Sequence, residues 1–321
     1  MSLIERAVSR LAGIPADETA KPMGGELDSQ RVIPPSQAKR SDSIEKLAEK
    51  LRAENVALGL KPVGTSEKAE TASAREPVRI HLEAIRARGF VTPDGEQSQI
   101  GQEFRVIKRP LLANAFGRGV ASVKNGKRVM VTSAFPGEGK SFCAINLAMS
   151  IAAERDFKVL LVDADVARPS ILRELGMPES QAGLMDLLVD NNQELSQLVV
   201  PTNVEKLSIL PAGRRHRQAT EFLASASMSR LLEQISARYP DRIIIFDSPP
   251  LLVTTESRVL ATYMGQVVVV VEAGRTPRES VNEALSTIES NEVVGLVLNK
   301  AQSVRAGSEY RYSGYGYGSK I

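Results

Sequence analysis

From residue 128 onward, short apolar runs alternate with segments in which apolar residues recur at helical spacing. The apolar runs are nearly continuous, which indicates strands that are buried on both faces of a sheet. Such strands are predicted at 128–132, 158–165, 207–210, 242–248, 266–272 and 293–299. Helical spacing is clearest at 140–154 and 221–239. The pattern predicts an α/β fold with a doubly wound, mostly parallel sheet, in which ligands bind beyond the carboxyl ends of the strands.

The first 99 residues follow a different pattern. Amphipathic helices are expected at 3–11 and 41–58, between Pro-, Gly- and charge-rich stretches at 12–40 and 61–80 that are typical of loosely ordered linkers. Each helix could pack on the main domain or dock on a partner protein or membrane surface. We therefore expect a partly disordered helical N-terminal extension, an α/β domain and a flexible tail, at residues 1–99, 100–305 and 306–321.

Composition adds mainly exclusions. The net charge of +3 comes from 41 basic and 38 acidic residues, an excess too small to predict nucleic-acid binding. The single cysteine, Cys143, excludes an internal disulfide framework and a multi-cysteine metal site, and it fits a reducing compartment. No apolar run approaches the roughly 18 residues that cross a bilayer. Glu5, Arg6 and Arg10 lie where an export signal would be apolar, so a cytoplasmic protein is expected.

The first predicted strand runs into the sequence SAFPGEGKSF and then a helix, which is the context of a P-loop. The sheet is therefore expected to be of the P-loop NTPase type. Gly137 and Gly139 let the backbone approach a polyphosphate, while Lys140 should reach the phosphates of ATP and Ser141 should bind Mg²⁺. Ala134 replaces the glycine that usually begins the motif. The nucleotide-binding residues predicted in this loop are Pro136, Gly137, Glu138, Gly139, Lys140, Ser141 and Phe142.

Three aspartates follow predicted strands. Asp163 and Asp165 end the second strand, and Asp247 follows four apolar residues in a Walker B pattern. Paired carboxylates beside a buried strand are costly unless they meet a cation or a proton donor. Capping of a helix and exposure on a loop are the alternatives. We predict that Lys140 and the three aspartates are catalytic, and that Ser141, Asp165 and Asp247 hold Mg²⁺; either Asp163 or Asp165 could be the base.

Four of the six tyrosines lie in the last twelve residues, with glycines between them: Tyr310, Tyr312, Tyr315 and Tyr317. The glycines disfavour a stable helix or strand. We interpret the tyrosines as phosphoacceptors that can reach an active site. A disordered adhesive tail is one alternative. Stacking on nucleic-acid bases is another, but it would require more interleaved basic residues than Arg311 and Lys320.

Together, the motifs PGEGKS, VDAD with a nearby Arg-Pro, DSPP and the tyrosine-rich tail resemble the bacterial tyrosine kinases, the P-loop autokinases of exopolysaccharide systems. The resemblance covers roughly residues 100–321. It implies that ATP phosphorylates tail tyrosines of a neighbouring subunit, in rings of subunits, and thereby regulates exopolysaccharide polymerisation or export. It also implies a phosphate contact by Arg168, although Ala167 occupies the family's usual arginine position, and it puts Asn299 near the adenine, with strand-end capping as the alternative.

The resemblance also implies partners. A membrane polysaccharide chain-length protein would activate the kinase and recruit it to the inner face of the membrane, and a tyrosine phosphatase would oppose it. Subunits of the family meet through a helix that here corresponds to 102–112. Its usual Glu, Arg and Arg are replaced by Gln102, Arg105 and Lys108, which weakens the case for a standard ring because lysine lacks the bidentate fork of arginine.

Two other functions fit parts of the pattern. A non-kinase ATPase switch, similar to the division-site and chromosome-partitioning ATPases, would share the fold and the acidic motifs. Such switches carry a signature lysine where this chain has Phe135, and they lack a tyrosine tail. A nucleotide-binding scaffold without catalysis would not need all three aspartates.

Overall fold

The computed structural model describes residues 77–301, except 95–97, 118–122, 180, 191, 289–290 and 292. The described residues belong to one folded unit, Arg75–Ile321. The two helices expected near the N-terminus and the four tail tyrosines lie outside them. The predicted domain boundaries at the tail therefore stay a prediction.

The described residues form a seven-stranded sheet with helices on both faces. The strands are β1 Arg128–Ser133, β2 Lys158–Asp163, β3 Val200–Pro201, β4 Leu207–Leu210, β5 Arg242–Asp247, β6 Gln266–Glu272 and β7 Val293–Asn299. The helices are α1 Leu82–Ala87, α2 Gln99–Ala115, α3 Lys140–Ala152, α4 Ile171–Glu174, α5 Leu184–Val189, α6 Leu195–Leu198, α7 Ala219–Leu223, α8 Ala226–Arg238, α9 Glu256–Ala261 and α10 Arg278–Ser286.

The strand order is β3-β4-β2-β5-β1-β6-β7. Only the pair of β3 and β4 is antiparallel among the described strands, and the other pairs are parallel. This order confirms the predicted doubly wound, mostly parallel sheet. It brings the carboxyl ends of the neighbouring strands β2, β5 and β1 together at one end of the sheet, which is where a ligand site is expected in such folds.

Alternate residues of each central strand enter opposite cores, because successive side chains of a strand point to opposite faces. On β1, Val129 and Val131 join one apolar cluster, while Met130 joins the other. On β5, Ile245 and Phe246 divide in the same way. Both faces are therefore covered, which explains why these strands read as unbroken apolar runs.

Helix α3 lies deep in the first core. Every residue from Cys143 to Ala152 is buried, so the helix is enclosed by the protein on all sides rather than exposing one face to solvent. Burial raises the pKa of the Cys143 thiol to about 12, so this thiol stays protonated at neutral pH and acts as a packing residue. This fully packed helix supports the loop that precedes it.

Two predicted elements differ in their bounds. The second strand ends at Asp163, two residues earlier than expected, because the chain turns at the acidic motif. The helix expected at 221–239 is two helices, α7 and α8. The Ser225 side chain accepts a hydrogen bond from the Ser227 backbone N–H at 3.2 Å, which starts a new helix in the middle of the predicted one.

Residues before the expected boundary at residue 100 also pack on the sheet domain. Val78 forms a parallel bridge with Thr202, and Asn203 binds both the N–H and the carbonyl of Ile80, at 2.7 and 3.1 Å. Ile80 and Phe90 join the core. The end of the predicted linker is therefore part of the folded domain, since Val78 and Ile80 pack on the core.

Helix α2 contains the segment that resembles the family's subunit-contact helix. Its Lys108 is only 1% exposed, and its Nζ donates to the Ser150 carbonyl at 2.6 Å and pairs with Glu154 at 2.7 Å. The side chain thus contacts α3 and the turn after it within the same chain. No helix in the described part of the chain is long and apolar enough to span a membrane.

Candidate active site

The loop between β1 and α3 has the geometry of an anion-binding turn. Gly137 and Gly139 adopt φ of +87° and +97°, a region that side chains rarely enter. A Cβ at Gly139 would lie 2.1 Å from Nδ2 of Asn299, so a side chain here would displace the Asn299 amide from the loop. Helix α3 begins at Lys140, and its N-terminus adds partial positive charge beside the loop.

A cavity of about 620 Å³ opens beside this loop. Eight of the predicted site residues line it: Pro136, Gly137, Gly139, Lys140, Ser141, Phe142, Asp165 and Arg168. Its volume is that of an ordinary ligand pocket. The loop glycines, the lysine and the second aspartate of the acidic motif therefore face one common space.

Lys140 reaches across the loop to the acidic motif. Its Nζ pairs with Oδ2 of Asp165 at 2.7 Å, and both side chains are largely buried. Burial lowers the pKa of Lys140, but the carboxylates of Asp247 and Asp165 outweigh burial, and the net pKa lies above its usual value. Lys140 is therefore a permanent cation at the mouth of the loop.

Asp163 and Asp247 are neighbours in register on β2 and β5. Both are buried, and Asp163 Oδ1 and both oxygens of Asp247 lack a hydrogen-bond partner among the described residues. Burial and the charge of Asp247 raise the pKa of Asp163 to about 7. Burial also raises the pKa of Asp247 to about 6, against the charge of Lys140 and the nearby hydroxyl of Ser141, which makes no hydrogen bond of good geometry to it. Unpaired buried carboxylates are unfavourable by themselves, so their oxygens are suited to a cation or proton donor.

Asp163 also stabilises the turn that follows the acidic motif. Its Oδ2 accepts hydrogen bonds from the backbone N–H groups of Ser170 and Ile171, both at 3.0 Å. The Ser170 hydroxyl donates to Oγ of Ser141 at 2.8 Å. The alternative that one aspartate caps a helix therefore holds for one oxygen of Asp163. The alternative that the other is exposed on a loop does not hold for Asp165, which is only 4% exposed. Sequence analysis did not select Ser170, although it closely follows the acidic motif.

The side chain of Glu138 points away from the cavity. One carboxylate oxygen accepts the Phe135 N–H at 2.7 Å, and the other accepts the Thr276 hydroxyl. The side chain is buried and does not line the cavity. A carboxylate that faced the cavity would repel a phosphate, and this orientation avoids that repulsion. Glu138 can contribute only its backbone to an anion site.

Asn299 contacts the loop itself. Its Nδ2 donates to the Glu138 carbonyl at 2.8 Å, so neither of the two roles considered for Asn299 describes the contact that it makes. It is not among the residues lining the cavity. Its proposed contact with the base therefore stays a prediction.

Arginines and the contacting rings of Phe90 and Phe142 also line the cavity. Arg168 is exposed and lines the cavity beside Ala167, as the resemblance suggests. Sequence analysis missed Arg88, Arg173 and Phe90, which also line it. Arg88 pairs with Glu174 and lies over the ring of Phe90. Because these residues come from distant segments, no local motif identifies them, and only the fold brings them together.

The residues at this edge fit a magnesium ion and a polyphosphate. The unpartnered oxygens of Asp163 and Asp247 and the hydroxyl of Ser141 are oxygen ligands of the kind that Mg²⁺ prefers. No cluster of three or more His, Cys, Asp or Glu side chains in the described part forms a complete metal cage. Mg²⁺ at nucleotide sites is usually bound by one or two carboxylates, with water and substrate phosphates as its other ligands.

Comparison with known proteins gives the family. A model described as an AAA domain, AAA_31, matches residues 126–296, more than half of the chain. The tyrosine-protein kinase YwqD of Bacillus subtilis is 35% identical over 191 residues, which cover 59% of this chain and 78% of that protein. The chain belongs to the family of bacterial tyrosine-protein kinases. It is therefore a protein-tyrosine kinase, as the motifs predicted.

Two further relatives extend the comparison. The kinase domain of the Escherichia coli tyrosine kinase ETK has a similar structure, with a TM-score of 0.51 and 28% identity over 59% of this kinase and 72% of that chain. The succinoglycan biosynthesis transport protein ExoP of Rhizobium meliloti is 30% identical over 70% of this kinase but only 28% of its own length. The family thus includes proteins of polysaccharide biosynthesis, and this kinase corresponds to one part of the larger ones.

Proposed function

We propose that this kinase transfers the γ-phosphoryl group of ATP to the tyrosines at its own C-terminus, between subunits. The observation that carries the proposal is the set of charges around the loop. Lys140 contacts Asp165 beside a ligand-sized cavity. Asp163 and Asp247 do not line this cavity, but their buried, unpartnered oxygens lie close enough to Lys140 to raise its pKa. Buried carboxylates without partners reduce stability, whereas phosphoryl transfer uses such groups to position a cation and neutralise charge.

ATP and Mg²⁺ are the ligands that fit this site. The loop backbone and Lys140 would bind the phosphates, and Arg168 would add a contact at the cavity mouth. Ser141, Asp165 and Asp247 would hold Mg²⁺, which neutralises phosphate charge when bound. Asn299 would lie near the base. The unpartnered oxygens of Asp247, directly behind the loop, support the metal assignment.

The chemistry of the chain's own residues is mainly electrostatic. Phosphoryl transfer needs charge neutralisation and alignment more than covalent help. Lys140 supplies a fixed cation, and Asp163 or Asp165 accepts the proton that leaves the tyrosine hydroxyl. Of these two, Asp165 lines the cavity, where an incoming tyrosine could reach it, and whichever of the two is not the base would help to hold Mg²⁺. Binding of phosphates by Lys140 would also release Asp165 from its present ion pair.

Tyr310, Tyr312, Tyr315 and Tyr317 are the proposed acceptors. Glycines lie between them, so each hydroxyl can approach the cavity without a fixed secondary structure. Each phosphorylation adds about −1.5 to −2 charge at pH 7. A phosphorylated tail would be repelled by the aspartates of the site and would leave it, which would loosen an assembly of subunits held by tail contacts.

We further propose that the kinase acts in polysaccharide polymerisation or export. The similarity to a succinoglycan transport protein supports this context. A membrane chain-length protein is the proposed activator that recruits the kinase to the inner face of the membrane, and a tyrosine phosphatase would reverse its action. The ATPase switch considered as an alternative is disfavoured by the family assignment and by Phe135 at the position of its signature lysine.

The direct test is a Lys140→Met variant. Its fold should be intact, because the side chain faces a cavity, whereas phosphorylation should fall to background since the cation is lost. Purified wild type and variant, incubated with ATP and Mg²⁺, should be compared with a phosphotyrosine antibody. Undiminished phosphotyrosine in the Lys140→Met protein would refute the site assignment.

A further inference from the structure

Two side chains at the end of β7 contact the P-loop from behind. Asn299 Nδ2 donates to the carbonyl of Glu138 at 2.8 Å, and Lys300 Nζ donates to the carbonyl of Gly137 at 2.7 Å. Both residues are more than 150 positions away from the loop in sequence. The end of the sheet's edge strand therefore contacts two successive peptide groups of the loop.

These contacts determine where the peptide N–H groups point. In a planar trans peptide, the carbonyl and the following N–H point in opposite directions. The Gly137 carbonyl is directed to Lys300, so the N–H of Glu138 points away from that side chain. The Glu138 carbonyl is directed to Asn299, so the N–H of Gly139 points away from Asn299. Gly137, Gly139 and Lys140, on either side of these peptide groups, line the cavity, whereas Asn299 and Lys300 do not.

The two N–H groups are available to a ligand. The backbone N–H groups of Glu138 and Gly139 donate no hydrogen bond to any of the described residues. Successive open N–H groups in a loop with left-handed glycines form a concave site for anions. The donors of such a site bind a polyphosphate only if their peptide planes are held in the correct orientation.

Lys300 is held in an unusual backbone conformation. Its φ is +56°, a region that lysine seldom adopts, and its Nζ also pairs with Glu272 at 3.2 Å. Such a conformation is unfavourable and persists only where surrounding contacts maintain it. The turn after β7 is thus arranged so that the lysine side chain returns to the loop.

A third contact comes from the same region of the sheet. The hydroxyl of Thr276, which follows β6, donates to the buried carboxylate of Glu138. The loop's own carboxylate is thereby turned away from the cavity, where it would repel phosphate. Asn299 and Lys300 therefore fix two carbonyls of the loop, and Thr276 fixes the carboxylate of Glu138.

From these contacts we infer that Asn299 and Lys300 are positioning residues, which orient the N–H groups of Glu138 and Gly139 toward the phosphates of a nucleotide. The inference rests on the proposed binding of ATP at this loop. It gives Asn299 a role that differs from contact with the base. It also gives Lys300 a role that no sequence motif assigns.

The test compares two ligands that differ only in having a base and sugar. Binding of a fluorescent ADP analogue with Mg²⁺ is measured for wild type, Asn299→Leu and Lys300→Met, followed by its displacement with inorganic pyrophosphate. Loss of one orienting hydrogen bond should weaken both ligands about 3- to 10-fold in each variant. Lys300→Arg, which can still donate to the carbonyl, should bind within about twofold of wild type.

Lys127→Met is the matched control. Lys127 Nζ donates to a backbone carbonyl, that of Pro240, at 2.5 Å, but at the opposite end of the sheet. Its loss should leave the affinity for both ligands unchanged. Melting temperatures of all variants exclude a simple loss of folding.

The possible results distinguish a failure of the proposed nucleotide site from a failure of the positioning inference. If wild type itself binds neither ligand, the proposed nucleotide site is wrong. If wild type binds both and the variants bind pyrophosphate equally well, the positioning inference is overturned. Weakened ADP with unchanged pyrophosphate in Asn299→Leu would assign this residue to the base instead, which also overturns the inference for Asn299.

Discussion

The two ends of the central sheet carry charge in opposite ways. At the amino end, Lys158 and Asp241 pair at 3.0 Å with about half of each side chain exposed to water. At the carboxyl end, Asp163 and Asp247 are buried, and three of their four carboxylate oxygens lack a partner among the described residues. Exposed pairs contribute little to stability, whereas buried unpaired carboxylates reduce it. The carboxyl end therefore gives up stability, as expected of a site that is completed by its ligands.

The largest expected effect is a difference in autophosphorylation rate between the same substitution made at the two ends of the sheet. Asp247→Asn should slow autophosphorylation about 100-fold, because a carboxamide does not neutralise the charge of a cation. Asp241→Asn, the same substitution at the amino end, should leave the rate within about twofold. The initial rate of phosphotyrosine formation with ATP and Mg²⁺ measures both. Equal rates for the two variants would mean that the ends do not differ in function.

A smaller effect concerns the stability of the nucleotide-free protein. Asp163→Asn should raise the free energy of unfolding at pH 8 by about 1–3 kcal/mol, because it removes a buried charge. The asparagine oxygen can still accept the N–H groups of Ser170 and Ile171, which Oδ2 of Asp163 accepts in the wild type. Denaturant unfolding without nucleotide measures the change.

The same measurement has a predicted pH dependence. The pKa of Asp163 is raised from 3.8 to about 7, so the protonated acid is favoured in the folded state. Its contribution to stability is fully present below pH 3.8 and is lost as pH rises through 7. The advantage of the Asp163→Asn variant over wild type should therefore shrink from pH 8 to pH 5. An advantage that is constant or grows toward pH 5 would show that burial does not raise this pKa.

The fold could be predicted from sequence because its central strands are buried on both faces. Their apolar runs are uninterrupted, and five of the six predicted strands begin and end within one residue of the observed bounds. The packing of Ile80 and Phe90 could not be predicted in this way. They lie on either side of α1, whose six residues are too few to show helical spacing in the sequence, and composition suggested a linker up to residue 80.

The candidate site could be predicted where its residues follow one another along the chain. Lys140 and Ser141 belong to a continuous motif, and the aspartates end apolar runs. The orientation of Glu138 and the contacts of Lys300 with the loop depend on which strand lies beside β6. The burial of Lys108 likewise depends on the packing of α2 against α3. Contacts between distant segments of this kind leave no local pattern in a single sequence.

The central claim is that the site at the carboxyl end of the sheet phosphorylates the tail of another subunit. It is tested most directly by mixing, with ATP and Mg²⁺, two variant chains that each lack one half of the reaction. One carries Lys140→Met and an intact tail, and the other has an intact site with Tyr310, Tyr312, Tyr315 and Tyr317 replaced by Phe. Mass spectrometry should find phosphate on the tail tyrosines of the Lys140→Met chain, and neither chain should be phosphorylated alone. Phosphate on the half-buried Tyr239 or Tyr263, or no transfer in the mixture, would contradict the account.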